Sequence, residues 1–111
     1  METTVGTVDG VSVVKLEGDL DGNTAPTAQA RIVPLIQPGC KIVLDMTGVS
    51  YMSSAGLRVM LLVFRQVKAR GGAIALSGLS EEVKDTMSLT GFLDFFSTYD
   101  TVEAATAEVR G

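Results

Sequence analysis

The sequence predicts an α/β domain with a mixed, mainly parallel sheet of about five strands, an N-terminal β-hairpin and about four helices. Three observations carry that prediction. Short β-branched apolar runs alternate with stretches of helical period, which implies crossover connections between parallel strands. The alternating start of the chain is broken by Asp9-Gly10, a pair suited to the positive φ angles of a tight hairpin turn. The 111 residues are room for one domain, taken as residues 1–111.

Taken in order, Val5 to Val8 and Val11 to Glu17 form the two strands of the hairpin. A polar loop, Asp19-Leu20-Asp21-Gly22-Asn23, leads to Thr24 as a helix cap and Pro26 in a first turn that needs no amide donor from it. Ala28, Ile32 and Leu35 recur at helical spacing until Pro34 and Pro38-Gly39 stop the helix after about three turns. Lys41 to Asp45 is an apolar run suited to the middle of a sheet.

From Met46 to Tyr51 no clean period appears. The strongest helix then follows Ser53-Ser54, either of which is a suitable cap, and runs to Gly71-Gly72. Its expected core stripe is Leu57, Met60, Leu61, Phe64 and Lys68, with Val59, Leu62 and Val63 beside it as a partly exposed surface. Ala73 to Ser77 is a further strand, and a helix starts at Ser80-Glu81-Glu82 and ends at Thr90-Gly91. Phe92, Phe95, Phe96 and Tyr99 suggest a final strand, before a last helix through Val102, Ala105 and Val109 capped by Asp100 or Thr101.

Composition narrows the function. Thirteen acidic against nine basic residues leave a net charge of −4, the wrong balance for gripping phosphate backbones or anionic headgroups, so neither nucleic acid nor membrane is an expected partner. The chain has no histidine, which removes the commonest general base and metal ligand. One cysteine, Cys40, forms neither an intrachain disulfide nor a thiolate zinc site. Without a signal-like start or a long apolar run, a cytoplasmic protein is expected.

The segment Asp45-Met46-Thr47-Gly48-Val49-Ser50-Tyr51-Met52-Ser53-Ser54-Ala55-Gly56-Leu57 puts two serines between a buried strand and the first turn of the strongest helix. Free amides at a helix N-terminus stabilise an anion by about 0.3–1 kcal/mol, so a serine there accepts a phosphoryl group without penalty to its helix. This stretch closely resembles the Asp-Leu-Ser-x-Val-x-Phe-Met-Asp-Ser-Ser-Gly-Leu signature of STAS anti-sigma factor antagonists. The resemblance extends to Glu17-Gly18-Asp19-Leu20-Asp21, Gly71-Gly72 and Leu89-Thr90-Gly91-Phe92.

The resemblance implies a STAS domain whose Ser54 is a regulated phosphorylation site, not a catalytic nucleophile. It implies three partners: an anti-sigma factor that is a serine kinase of the GHKL ATPase type, a metal-dependent PP2C-like serine phosphatase, and a sigma factor affected only indirectly. The unphosphorylated form binds the kinase and the phosphorylated form lets go. The implied contact surface is Asp19, Asp21, Asn23, Thr24, Met52, Ser53, Ala55, Gly56, Arg58 and Leu62. Ser53 stands where the family commonly has aspartate, leaving it as an alternative acceptor, and Ala55 stands where a second hydroxyl often follows.

Independent of that resemblance, phosphate adds about −1.5 to −2 charge. At a helix N-terminus it does not unfold its own helix, so its effect falls on an interface, where an unpaired buried dianion costs several kcal/mol. Arg58, one turn after Ser54 and rotated by about 40°, is placed to pair with the phosphate or with the partner. Asp45 is either a ligand at the strand edge or a loop-amide acceptor. Asp19-x-Asp21-x-Asn23 imitates a calcium loop, but Thr24 occupies the required glycine position and Ala30 that of the bidentate glutamate, so no metal is expected. No cofactor and no catalytic constellation is legible. The rival readings are a phosphocarrier using Cys40 or Ser54, a nucleotide or small-ligand module around Asp19, Asp45 and Ser54, and a partner switch with a non-transcriptional output.

Overall fold

The computed structural model describes Met1–Gly111. Its elements run β1 (Glu2–Val8), β2 (Val11–Glu17), α1 (Ala25–Ile32), β3 (Lys41–Gly48), α2 (Ser54–Ala69), β4 (Ala73–Ser77), α3 (Glu81–Leu89), β5 (Ser97–Tyr99) and α4 (Val102–Arg110), with 3₁₀ turns at Val33–Leu35 and Phe92–Phe95. The strands lie side by side in sequence order. β1 pairs antiparallel with β2, from Val8↔Val11 to Glu2↔Glu17, and every other neighbour is parallel. Asp9 and Gly10 at the hairpin turn take φ angles of 51° and 80°, the pair of left-handed residues that a two-residue turn matched to strand twist requires.

The layers follow from the order. When parallel strands are laid down in one direction, right-handed crossovers put every connecting helix on the same face. α1, α2 and α3 accordingly share one face, where Val14, Leu16, Ile42, Leu44, Met46, Ile74 and Leu76 meet Ile32, Leu57, Met60, Val63, Val67, Val83 and Met87. α4 follows the last strand and makes no crossover, so it is free to cover the other face, packing Ala105 and Val109 on Val11, Val43 and Ala75. β3 is therefore covered on both sides, which is why Ile42-Val43-Leu44 is continuously apolar.

Three expectations change. β3 continues to Gly48, beyond Asp45, and its pairing with β2 slips between Lys15↔Asp45 and Glu17↔Gly48. This irregularity breaks the alternation that would have marked the strand in the sequence. The buried stripe of α2 is Gly56, Leu57, Met60, Val63 and Val67, while Leu61 and Phe64 are only half-buried and Lys68 is exposed. The helix is thus rotated to lay its valines on the sheet, and Phe64 turns toward the aromatic cluster, with ring centroids 5.9 Å from Phe95 and 5.2 Å from Phe96. Those aromatics explain the third change. Gly91 (φ 79°) turns the chain out of α3, Phe92–Phe95 winds into a 3₁₀ turn against α2, and only Ser97–Tyr99 remains as strand. Cys40 is half-buried and packs beside the main core.

One close approach seats α2. Leu20, wholly buried in the β2–α1 loop, bridges to Met52 in parallel fashion; its amide donates to Tyr51 O and its carbonyl accepts from Ser53 N, both at 2.9 Å. Gly56 lies directly over this point, and a Cβ there would sit 2.5 Å from Leu20 O and 3.0 Å from both Leu20 Cγ and Met52 Cγ. Gly→Ala inside a helix ordinarily gains up to about 1 kcal/mol; Gly56→Ala is expected to reverse the sign and cost about 1–3 kcal/mol through overpacking against backbone. Urea denaturation checks this, with Gly6→Ala as control, because a Cβ on Gly6 meets nothing within 4 Å. Equal stability of the two variants would contradict the close seat.

Candidate functional site

The β2–α1 and β3–α2 loops meet at the carboxyl ends of the parallel strands, where α/β sheets commonly present functional groups. In the first loop Asp21 does the structural work. Its Oδ1 accepts from the amides of Asn23 at 2.9 Å and Thr24 at 3.1 Å, and its carbonyl accepts from Ala25 N at 2.8 Å. Thr24 holds the cap position of α1 without capping it. Its hydroxyl instead accepts from Asp21 N at 2.9 Å and donates to Asp19 O at 2.7 Å, because Asp21 already supplies the turn that the helix needs.

The second loop divides two adjacent serines between two tasks. Ser53 is extended (φ −86°, ψ 176°) and caps α2, its hydroxyl accepting from Gly56 N at 3.3 Å. Ser54 is the first helical residue and is exposed. The cap therefore uses Ser53 and leaves Ser54 at the positive end of a 16-residue helix. Ser50 Oγ reaches Asp19 Oδ1 at 3.4 Å, and Gly22 stands so close that a Cβ on it would lie 3.9 Å from Ala55 Cβ. Asp19 and Gly22 thus bring the first loop against the Ser50–Ala55 segment, and Asp21, Asn23 and Thr24 belong to that same loop as it enters α1.

Two expected contact residues are corrected. Met52 is 3% exposed and Gly56 is buried, because both form the seat of α2 on Leu20 and present no side chain to a partner. Val63 is likewise fully buried, leaving Leu62 (38% exposed) and half-buried Val59 as the apolar surface beside the stripe. Arg58 and Leu62 do face outward, into a groove of about 470 Å³ between α1 and α2 that Ala25, Pro26, Gln29 and Arg65 also line. The latter four escaped the sequence reading because a groove depends on how two helices pack. Tyr51, 53% exposed beside the two serines, was missed as well; its aromatic position in the motif was the available signal.

Asp45 is the loop acceptor of the two roles open to it, binding Thr47 through its amide at 3.1 Å and through its hydroxyl. No set of three or more His, Cys, Asp or Glu side chains is arranged to hold a metal ion. No helix is long and apolar enough to cross a membrane.

Comparisons with known proteins agree with this geometry. BtrV of Bordetella bronchiseptica, provisionally named an anti-sigma factor antagonist, is 33% identical over 111 residues, spanning 99% of this chain and 96% of its own. The anti-sigma-B factor antagonist of Bacillus subtilis is 36% identical over 81 residues, 73% of this chain and 74% of its own. The anti-sigma factor antagonist SpoIIAA, solved in its unphosphorylated form, superposes with a TM-score of 0.81 at 25% identity, covering 99% of this chain and 97% of that one; the Bacillus protein has also been solved phosphorylated. The family model described as STAS domain matches residues 2–105. With that match spanning all five strands and the two loops that converge on Ser54, the chain belongs to the STAS domain family.

Proposed function

We propose that this protein is an anti-sigma factor antagonist that works as a partner switch. Unphosphorylated, it binds an anti-sigma factor that is also a GHKL-type serine kinase; phosphorylated on Ser54, it releases that kinase; a metal-dependent PP2C-like phosphatase restores the binding form. The sigma factor is freed only indirectly, in the cytoplasm. The roles named for BtrV, the Bacillus subtilis relative and SpoIIAA support the general part of this reading.

The single observation that carries the finer part is the division between the serines. Ser53 is committed to the cap, whereas Ser54 is exposed at the first helical position. Phosphate on Ser54 brings about −1.5 to −2 charge to the end of α2 that favours anions, so the fold tolerates it. A partner packed over Ser54 does not, since it would have to strip that dianion of water, at several kcal/mol. The phosphocarrier reading through Cys40 loses ground, because Cys40 precedes β3 and Ser54 follows it, at opposite ends of that strand.

Two outcomes test the division. Ser54→Ala is expected to fold and bind the kinase as the wild type does, while Ser54→Glu weakens binding at least about tenfold, or about 1.4 kcal/mol. Titration calorimetry of the three proteins against the purified kinase measures this, and equal affinities would remove the switch. Ser53→Ala, in contrast, is expected to lose about 1 kcal/mol of unfolding free energy through the missing cap and to weaken kinase binding less than Ser54→Glu does. Unchanged stability together with lost binding would exchange the roles of the two serines.

A further inference from the structure

Helices α1 and α2 contain no acidic residue, although the chain has thirteen. They carry Arg31, Arg58, Arg65 and Lys68, a cationic pair of helices in a protein of net charge −4. Lys68 is engaged over the Phe64 ring, 5.7 Å from its centroid, and the one ion pair of the structure joins Arg110 to Asp9. Arg58 and Arg65 are exposed and without a carboxylate partner. With Leu62 between them they form one stripe at i, i+4 and i+7, the arginines about 10.5 Å apart along the axis at 1.5 Å per residue. All three face the groove, whose opposite wall is built from Ala25 and Pro26.

We infer that this groove seats an acidic amphipathic helix of the partner, with two carboxylates about two turns apart on Arg58 and Arg65 and an apolar side chain over Leu62. The inference rests on the proposed function only in taking that partner to be the Ser54 kinase. The small residues of the α1 wall let a helix approach closely, and the spacing of the stripe is that of helix-in-groove recognition. Guanidinium forks bind carboxylates in pairs, and neither arginine is paired with a carboxylate of this chain. Phosphate on Ser54 creates a competitor. It places its charge one turn before Arg58, where it draws the guanidinium away and repels the incoming carboxylates.

The test uses the full chain in its own cells, with photo-reactive p-benzoylphenylalanine in place of Gln29 in the groove or of Asn23 in the loop beside Ser54, and mass spectrometry of the cross-linked peptides. Both positions are expected to capture one kinase, and the Gln29 position a segment of helical period with acids seven residues apart. Arg58→Glu combined with Arg65→Glu is expected to lower the Gln29 cross-link at least about tenfold. A neutral or basic segment, a second copy of this chain, or a yield unmoved by the double reversal would overturn the inference. Capture of the kinase at Asn23 alone also overturns it while leaving the proposed function intact. An acidic helix from a protein that is no kinase upholds the groove and overturns the proposed function.

Discussion

Everything at the functional end of this molecule depends on the contact between Gly56 and Leu20. The first turn of α2 rests on a backbone carbonyl of the β2–α1 loop, and only the missing side chain of Gly56 allows it. That carbonyl is already held by Ser53 N, while Leu20 N is held by Tyr51 O. Two loops from different crossovers are therefore tied into one surface before any side chain is considered. The same seat determines which serine caps the helix, since an extended Ser53 under the first turn points its hydroxyl at Gly56 N. Ser54 is then the residue left facing outward.

The electrostatics follow from this placement. Ser54 stands at the positive end of α2, and neither α1 nor α2 contributes an acid to oppose a phosphate. In the proposed switch, the modification is mild for the protein itself and severe for a partner that covers it. A switch of this kind needs no conformational change in the domain. In that proposal the energy separating bound from released states resides in the interface, where the desolvation and repulsion of a dianion are largest.

Much of the fold was legible because its signals are local. Asp9-Gly10 between alternating runs specifies a hairpin, and Ile42-Val43-Leu44 betrays a strand covered on both faces. The places that were not legible are those decided by contacts distant in sequence. The rotation of α2 is chosen by the sheet, which takes Val63 and Val67 and leaves Phe64 to the aromatic turn at Phe92–Phe95. The slip in β3 hides its last residues from any period. At the site, the place of Ser54 at the start of α2 and the acidic loop could be read from the sequence, but Met52 and Gly56 stand in the same motif for a different reason. They hold the serines in place from beneath, and only the fold reveals the Leu20 they hold against.

The central claim is that Ser54, and not its neighbour, carries the signal. Phosphopeptide mass spectrometry on the protein recovered from its own cells, under several growth and stress conditions, tests this most directly. The account predicts a single phosphate on Ser54 whose occupancy changes with condition. Phosphate on Ser53, or a peptide that stays unmodified throughout, would contradict it.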